Sequence, residues 1–381
     1  MLPLDGVTVL EFAQFMAGPS AGLKLADLGA RVIKIERPGS GESGRQIAIK
    51  NLFVEKDSLV FHTINRNKES YTADLKDPED LDKIRKLIRH ADVMTHNFRP
   101  GVMEKIGLDY DSVCKINPTI VYGEVTVYGK KGPWTRKPGQ DLLVQSLSGL
   151  NYLTGNHEDN PTPMGIAAVD MFAGAHLVQG ILAALYQSNE SGKGAKVSVS
   201  LLESALDIQF EVITTYLNNG KKPFHRAKRN NAHAFLAAPY GIYKTSDSHI
   251  AVAMVPLNEL AGAMNIDLPD EYASSESWFD KRDEIMQHLS TIFIKETTSQ
   301  WLLILEPKGI WCSNVFNYDQ LLNHNGYKVL KMDQTVETIE KETIRTTRCP
   351  IRIDGDRLYS RKSAPRAGQD NEAIEKEFNL N

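Results

Sequence analysis

The chain has 381 residues, 41% hydrophobic and 24% charged, with a formal net charge of −4 at pH 7. That length allows two or three domains, each with a substantial core, and the composition is that of an ordinary globular protein. The small negative excess argues against nucleic acid or an anionic membrane surface as the main partner, and three cysteines in no CxxC or Cys/His spacing predict neither disulfide framework nor metal site. The opening MLPLDGVTVLEF has no basic start and no apolar run of export length, and no stretch approaches the ~18 apolar residues of a membrane helix. A soluble, cytoplasmic protein is expected.

In chain order, VTVLEF (7–12) reads as a buried strand, AGLKLADLG (21–29) as a helix closed by Gly29, and RVIKIE (31–36) as a second strand, a βαβ opening. Its turn, AQFMAGPSAG (13–22), carries no GxGxxG, so a dinucleotide fingerprint is not met. DPEDLDKIRKLIRH (77–90) is a helix with acids first and bases last, as the helix dipole favours, and DVMTHN (92–97) returns as a strand. MEKIGLDYDSVCKIN (103–117) reads as helical, TIVYGEVTVYG (119–129) as a long strand, and 196–218 as a strand running into a long helix. The fold class is α/β: a large Rossmann-like parallel-sheet domain, residues 1–219, completed by 326–381.

GKKPFHRAKRNN (220–231), rich in Lys and Arg and without apolar periodicity, reads as a solvated linker. Beyond it, 240–255 looks like a hairpin turning at SDS, and 277–294 and 297–309 are amphipathic helices, which makes 232–325 a smaller α+β domain.

Asp170 ends MGIAAVD (164–170) and precedes a stretch in which Leu177, Val178, Ile181, Leu182 and Leu185 recur at helical spacing. It is expected at the N-cap, where the dipole and unpaired N–H groups keep a carboxylate ionised, and an ionised, accessible carboxylate can be a nucleophile. An ordinary capping aspartate satisfies the same pattern.

Five blocks decide between those readings: 4–41, INRNKESYTADLK (64–76), NFRPGVMEKIGLDYDSV (97–113), INPTIVYGEVTVYGKKGP (116–133) and VDMFAGAHLVQGILAAL (169–185). In this order they resemble the class III CoA-transferases, a family that includes α-methylacyl-CoA racemases. The resemblance implies that Asp170 is the catalytic aspartate. It attacks an acyl-CoA to give a mixed anhydride and CoA thiolate, becomes an aspartyl-CoA thioester, and passes CoA to a second carboxylic acid. Acyl-CoA and an acid acceptor are the partners, and no permanent cofactor and no metal are implied.

The resemblance further implies an oxyanion site at Met16, Ala17 and Gly18, where formyl-CoA transferase has a glutamine in place of Met16. Arg37, Lys76, Asn97, Arg99, Lys105 and Lys137 match positions beside the CoA phosphates and backbone, and Ala73, Leu75 and Phe98 positions near the adenine. Gln140 stands in PGQD where racemases carry the histidine of GHD. Glutamine carries no proton at neutral pH, so transfer is expected over racemisation, with Glu259 the one acid near the racemases' additional glutamate. NAHAFLAAPYG (231–241) replaces a glycine-rich loop, with His233, Phe235 and Tyr240 as candidate pocket residues. The family architecture implies an interlocked homodimer.

Overall fold

The computed structural model describes residues 1–380, and the chain divides into two compact units. One comprises Met1–Val144, Ala167–Ile208 and the chain from Val329 on; the other comprises Gln145–Ile166 and Gln209–Lys328. The division differs from the expected one: residues 145–166, 209–219 and 326–328 group with the second unit. The long helix expected within 196–218 is two helices, Leu201–Asp207 and Phe210–Asn218, broken where Gln209 leaves helical geometry at φ −104°, ψ 13°.

The first unit is built on six parallel strands: β1 (Thr8–Glu11), β2 (Arg31–Glu36), β3 (Glu69–Thr72), β4 (Val93–His96), β5 (Val121–Thr126) and β6 (Ala195–Ser200), in spatial order β3-β2-β1-β4-β5-β6. β5 is buried at every position and β2 at all but its first, as a sheet covered on both faces requires. Four helices matter to the site: α1 (Ala17–Asp27), α2 (Pro78–Ile88), α3 (Asp141–Leu147) and α4 (Ala168–Ser191). Asp77 caps α2 by accepting from the N–H groups of Glu79 and Asp80. Ile84 and Leu87 of α2 join Ile33, Tyr71, Met94 and Tyr122 in the core on one sheet face.

α4 covers the other face. Leu177 and Ile181 reach within 3.1 and 3.3 Å of where a side chain on Gly123 of β5 would begin. By length and composition α4 is apolar enough to cross a membrane, contrary to the expectation that no stretch is. Scattered polar residues such as His176 and Gln179 hide this from a count of consecutive apolar positions. Here Ala173, Leu177, Val178 and Ile181 are buried within the unit.

Residues 103–117 form two short helices, Val102–Ile106 and Tyr110–Ile116, because Gly107 takes φ +66° and Asp109 caps a new start by accepting from Ser112 N–H. At the far end of the chain, the Asp370 carboxylate accepts from Ser70 N–H (2.8 Å) and the Asn371 side chain from Thr72 N–H (2.9 Å), so the last residues cover edge strand β3.

In the second unit the hairpin is present, Gly241–Lys244 pairing antiparallel with His249–Val252, and Cys312–Asn314 adds a third strand. Tyr243, Phe293 and Trp301 centre its core. The basic 220–231 run is not a solvated hinge throughout. Arg226 and Ala227 are buried, and the Arg226 guanidinium donates to the carbonyls of Thr154, Asp159 and Asn160, a use of arginine that sequence periodicity does not register.

Candidate active site

Strand order reverses between β1 and β4, and in open α/β sheets ligands bind outside the carboxyl ends of the strands at such a point. Asn97, just past β4, spans it. Its Nδ2 donates to Gln14 O (2.6 Å) and its Oδ1 accepts from Gln14 N–H (2.8 Å), so its amide is committed to the turn after β1. Asn97 thus stands where the resemblance put it, just past a strand at the carboxyl edge of the sheet, with its side chain holding the turn. From that turn the chain passes through Phe15, at φ +67°, into α1. No side chain caps α1, and Pro19 brings no N–H, so Ala17 and Gly18 supply the donors of its first turn.

Asp170 is the third residue of α4, whose N-cap is Ala167. The expected capping position is thus off by three residues, and the capping oxygen comes from elsewhere: Asp141, buried at the start of α3, accepts from Asp170 N–H at 3.0 Å. The expected ionisation is corrected as well. Burial first, and the Asp141 charge second, push the Asp170 carboxyl up to about 7, against the direction in which the helix dipole acts. Among the described residues the half-buried Asp170 carboxyl accepts no hydrogen bond, which leaves it to a ligand. One turn further along the same face, a Cβ on Gly174 would lie 2.0 Å from Ser20 Oγ and 2.7 Å from Ala17 O. The first turn of α1 and the second turn of α4 therefore meet with only a hydrogen between them.

Arg37 follows β2; Ala73, Leu75 and Lys76 follow β3; Phe98 and Arg99 follow β4. All stand at the carboxyl edge of the sheet, after β3, β2 and β4. Arg37, Lys76 and Arg99 are exposed, Leu75 and Phe98 half-buried, and Ala73, at 3% exposure, is core. Lys105 lies exposed on Val102–Ile106, and Lys137 and Gln140 are exposed in the segment between β5 and α3.

The description of CoA-transferase family III matches residues 4–371. Mouse succinyl-CoA:glutarate CoA-transferase is 33% identical over 99% of this chain and 86% of its own length. The chain belongs to CoA-transferase family III. Acetyl-CoA:oxalate CoA-transferase of Acetobacter aceti is 29% identical over 99% of this chain and 96% of its own. Among solved structures, Mycobacterium tuberculosis Rv3272 superposes with a TM-score of 0.85 at 29% identity, covering 98% of this chain and 99% of that one. A CAIB/BAIF family protein from Brucella suis gives 0.84 at 28%, covering 99% of each.

In this family III CoA-transferase, two further features involve the candidate residues. A cavity of about 180 Å³ is lined by Phe98 and Arg99 together with His96, Tyr122, Glu124 and Lys130. It is small beside the ~300–1,000 Å³ of pockets that enclose whole ligands, so it admits part of a nucleotide at most. Burial lowers His96 to about 4, and its Nδ1 accepts from Phe98 N–H (3.3 Å), so a neutral imidazole fixes the start of the Phe98–Arg99 segment. In the second unit, Arg282 holds 231–241 by donating to Ala234 O (2.7 Å), the Phe235 ring packs tilted against Phe224 with centroids 5.3 Å apart, and His233 Nε2 lies 3.2 Å from Glu211. Glu259 is exposed in the first turn of Leu257–Met264.

Proposed function

We propose that this family III CoA-transferase moves CoA from a short acyl-CoA to a free dicarboxylic acid, with Asp170 as nucleophile. The observation that carries the mechanism is the close approach of two helix N-terminal regions at Gly174: α4 brings a carboxyl that accepts no hydrogen bond among the described residues, and α1 brings uncapped N–H groups. Ionised Asp170 attacks the thioester carbon, and the developing oxyanion lies toward Ala17 and Gly18 N–H. The thiolate leaves, returns to the aspartyl anhydride and frees the first acid; a second carboxylate then attacks the aspartyl-CoA thioester, expelling CoA thiolate and regenerating an anhydride, and the thiolate attacks the substrate carbonyl of that anhydride to give the new acyl-CoA and free Asp170. A carboxyl near 7 is poised for this, since it ionises at neutral pH yet retains the basicity that a strongly acidic carboxylate lacks. Arg37, Lys76, Arg99, Lys105 and Lys137 hold the CoA phosphates by charge.

The dicarboxylate assignment is supported by relatives over nearly their whole length, whose activities are succinyl-CoA with glutarate and acetyl-CoA with oxalate. A panel of acyl-CoA donors against mono- and dicarboxylic acids, followed by mass spectrometry, tests it; turnover restricted to monocarboxylic acceptors would reject it. An interlocked homodimer belongs to the same proposal, and Leu142, Leu143, Met171 and Phe172, all more than 39% exposed beside the site, are surface that a second copy would cover.

A further inference from the structure

Beneath the 13–19 turn lie four charged side chains almost wholly out of solvent: Glu11 at 0% exposure, Lys34 at 0%, Glu42 at 4% and Lys68 at 1%. Lys34 Nζ stands 3.1 Å from Glu11 and 3.3 Å from Glu42, and Lys68 Nζ is 2.9 Å from both Glu11 oxygens and from Asn65 Oδ1. Two cations balance two anions. As a source of stability such a quartet is poor, because desolvation offsets the Coulomb gain and apolar side chains fill equal volume without that cost.

What the quartet does beyond pairing is hold backbone. Lys34 donates to Ala13 O (2.8 Å), Glu42 accepts from Phe15 N–H (3.2 Å), and Lys68 donates to Pro19 O (2.9 Å). Glu42 spends one oxygen on Phe15 and Lys34 while its other, Oε1, is buried without a partner, so its placement follows the turn rather than the best ion pairing. Phe15, a bulky residue at φ +67° and 51% exposed, is where the turn is strained, and such conformations persist only where the surroundings over-determine them. Gly22 clears the space, since a Cβ there would fall 1.7 Å from Glu11 Oε2; at Gly44 a Cβ would fall 2.7 Å from Glu42 Oε1.

We propose that Glu11, Lys34, Glu42 and Lys68 are positioning residues for CoA transfer: the buried quartet locks the left-handed turn at Phe15 and thereby aims the N–H groups of Ala17 and Gly18 at the reacting thioester oxygen. This rests on the reading of that helix start as the oxyanion site.

Glu42→Gln and Glu42→Met test it, because both remove the charge at similar volume but only glutamine keeps an oxygen for Phe15 N–H. Misaimed oxyanion donors cost up to about 10²–10³ in kcat, so per folded enzyme Glu42→Met falls at least about tenfold, while Glu42→Gln stays within about threefold of the parent. The acyl-CoA KM stays within about twofold in both. Equal kcat in the two variants, or a loss carried entirely by KM, overturns the proposal. Amide hydrogen exchange on the unaltered protein reads the same clamp without any variant: Phe15 N–H, which donates to Glu42, exchanges as slowly as the interior of α1, and fast exchange there overturns it. Failure of the functional reading shows up elsewhere, as transfer retained in Asp170→Ala, and leaves both readouts interpretable.

Discussion

The Asp141 carboxylate and the Asp170 backbone N–H meet at 3.0 Å, so two acids share one helix start. One is spent on the peptide, and the other accepts no hydrogen bond among the described residues. The buried capping charge also raises the proton affinity of its neighbour, which makes Asp141 a tuner of Asp170 as well as its support.

Asp170→Ala is expected to abolish transfer and spare the fold, because among the described residues the side chain caps nothing and makes no hydrogen bond. With the unaltered enzyme, acyl-CoA alone should leave CoA on the peptide containing Asp170, as a thioester released by hydroxylamine. Full activity in the variant, or an adduct on Asp141 instead, would sink the nucleophile assignment.

The pH dependence follows from the raised carboxyl. Attack needs the ionised form, so kcat/KM for acyl-CoA rises with pH through about 7. Asp141→Asn keeps an acceptor for Asp170 N–H but removes the like charge, and the acidic limb moves down; because burial is the larger cause, it stays above the ordinary carboxylate value of about 3.9. A pH–rate profile unchanged by Asp141→Asn refutes the coupling. For stability the sign is opposite to that of a paired carboxylate. The folded state holds the Asp170 proton more tightly than the unfolded chain, so this contribution is fully present below about 4 and is lost as pH rises through about 7. In Asp170→Asn the denaturant midpoint should lose that part of its decline over the same window.

Gly174→Ala is diagnostic of the helix contact. Within a helix, alanine in place of glycine ordinarily adds up to about 1 kcal/mol. Here the new methyl would meet Ser20 Oγ at 2.0 Å and the Ala17 carbonyl at 2.7 Å, so overpacking should reverse the sign, by about 1–3 kcal/mol, and transfer should fall with it. Thermal unfolding and kcat measured together check it; a stabilised, fully active variant would mean that α1 and α4 do not touch as described.

Isotope exchange separates transfer from racemisation. With Gln140 unable to carry a proton, a chiral 2-methylacyl-CoA in D₂O should keep its configuration and gain no deuterium at the α-carbon on the timescale of turnover. Rapid incorporation without any added acid would favour the racemase chemistry.

Arg37→Ala should raise the acyl-CoA KM several-fold with kcat less affected, the pattern of lost uniform binding, and added salt should mimic part of it. An unchanged KM would remove Arg37, exposed just beyond β2, from the CoA site.

Local patterns made the sheet legible. β1, β2 and β5 are short segments of strand length rich in Val and Ile, and α2 announces itself by Asp77, its acids and its bases, because these signals lie within a dozen residues. Asp170 came from the resemblance, since its own segment fits a plain cap equally well. What stayed hidden is non-local. Asp141 sits 29 residues from the N–H it caps, and Asn97 lies 83 residues from Gln14, so neither the shifted proton affinity nor the spent amide leaves a mark in spacing. The break at Gln209 carries no Gly or Pro to betray it.

The stitching of Asp370 and Asn371 to Ser70 and Thr72 has a consequence for biosynthesis. The strand that leaves the ribosome early waits for about 300 further residues before its flank is closed, roughly 15–60 s at ~5–20 residues per second. Through that interval its outer N–H groups are an open template for other nascent chains on the same message. A truncation before Asp370 would make that exposure permanent.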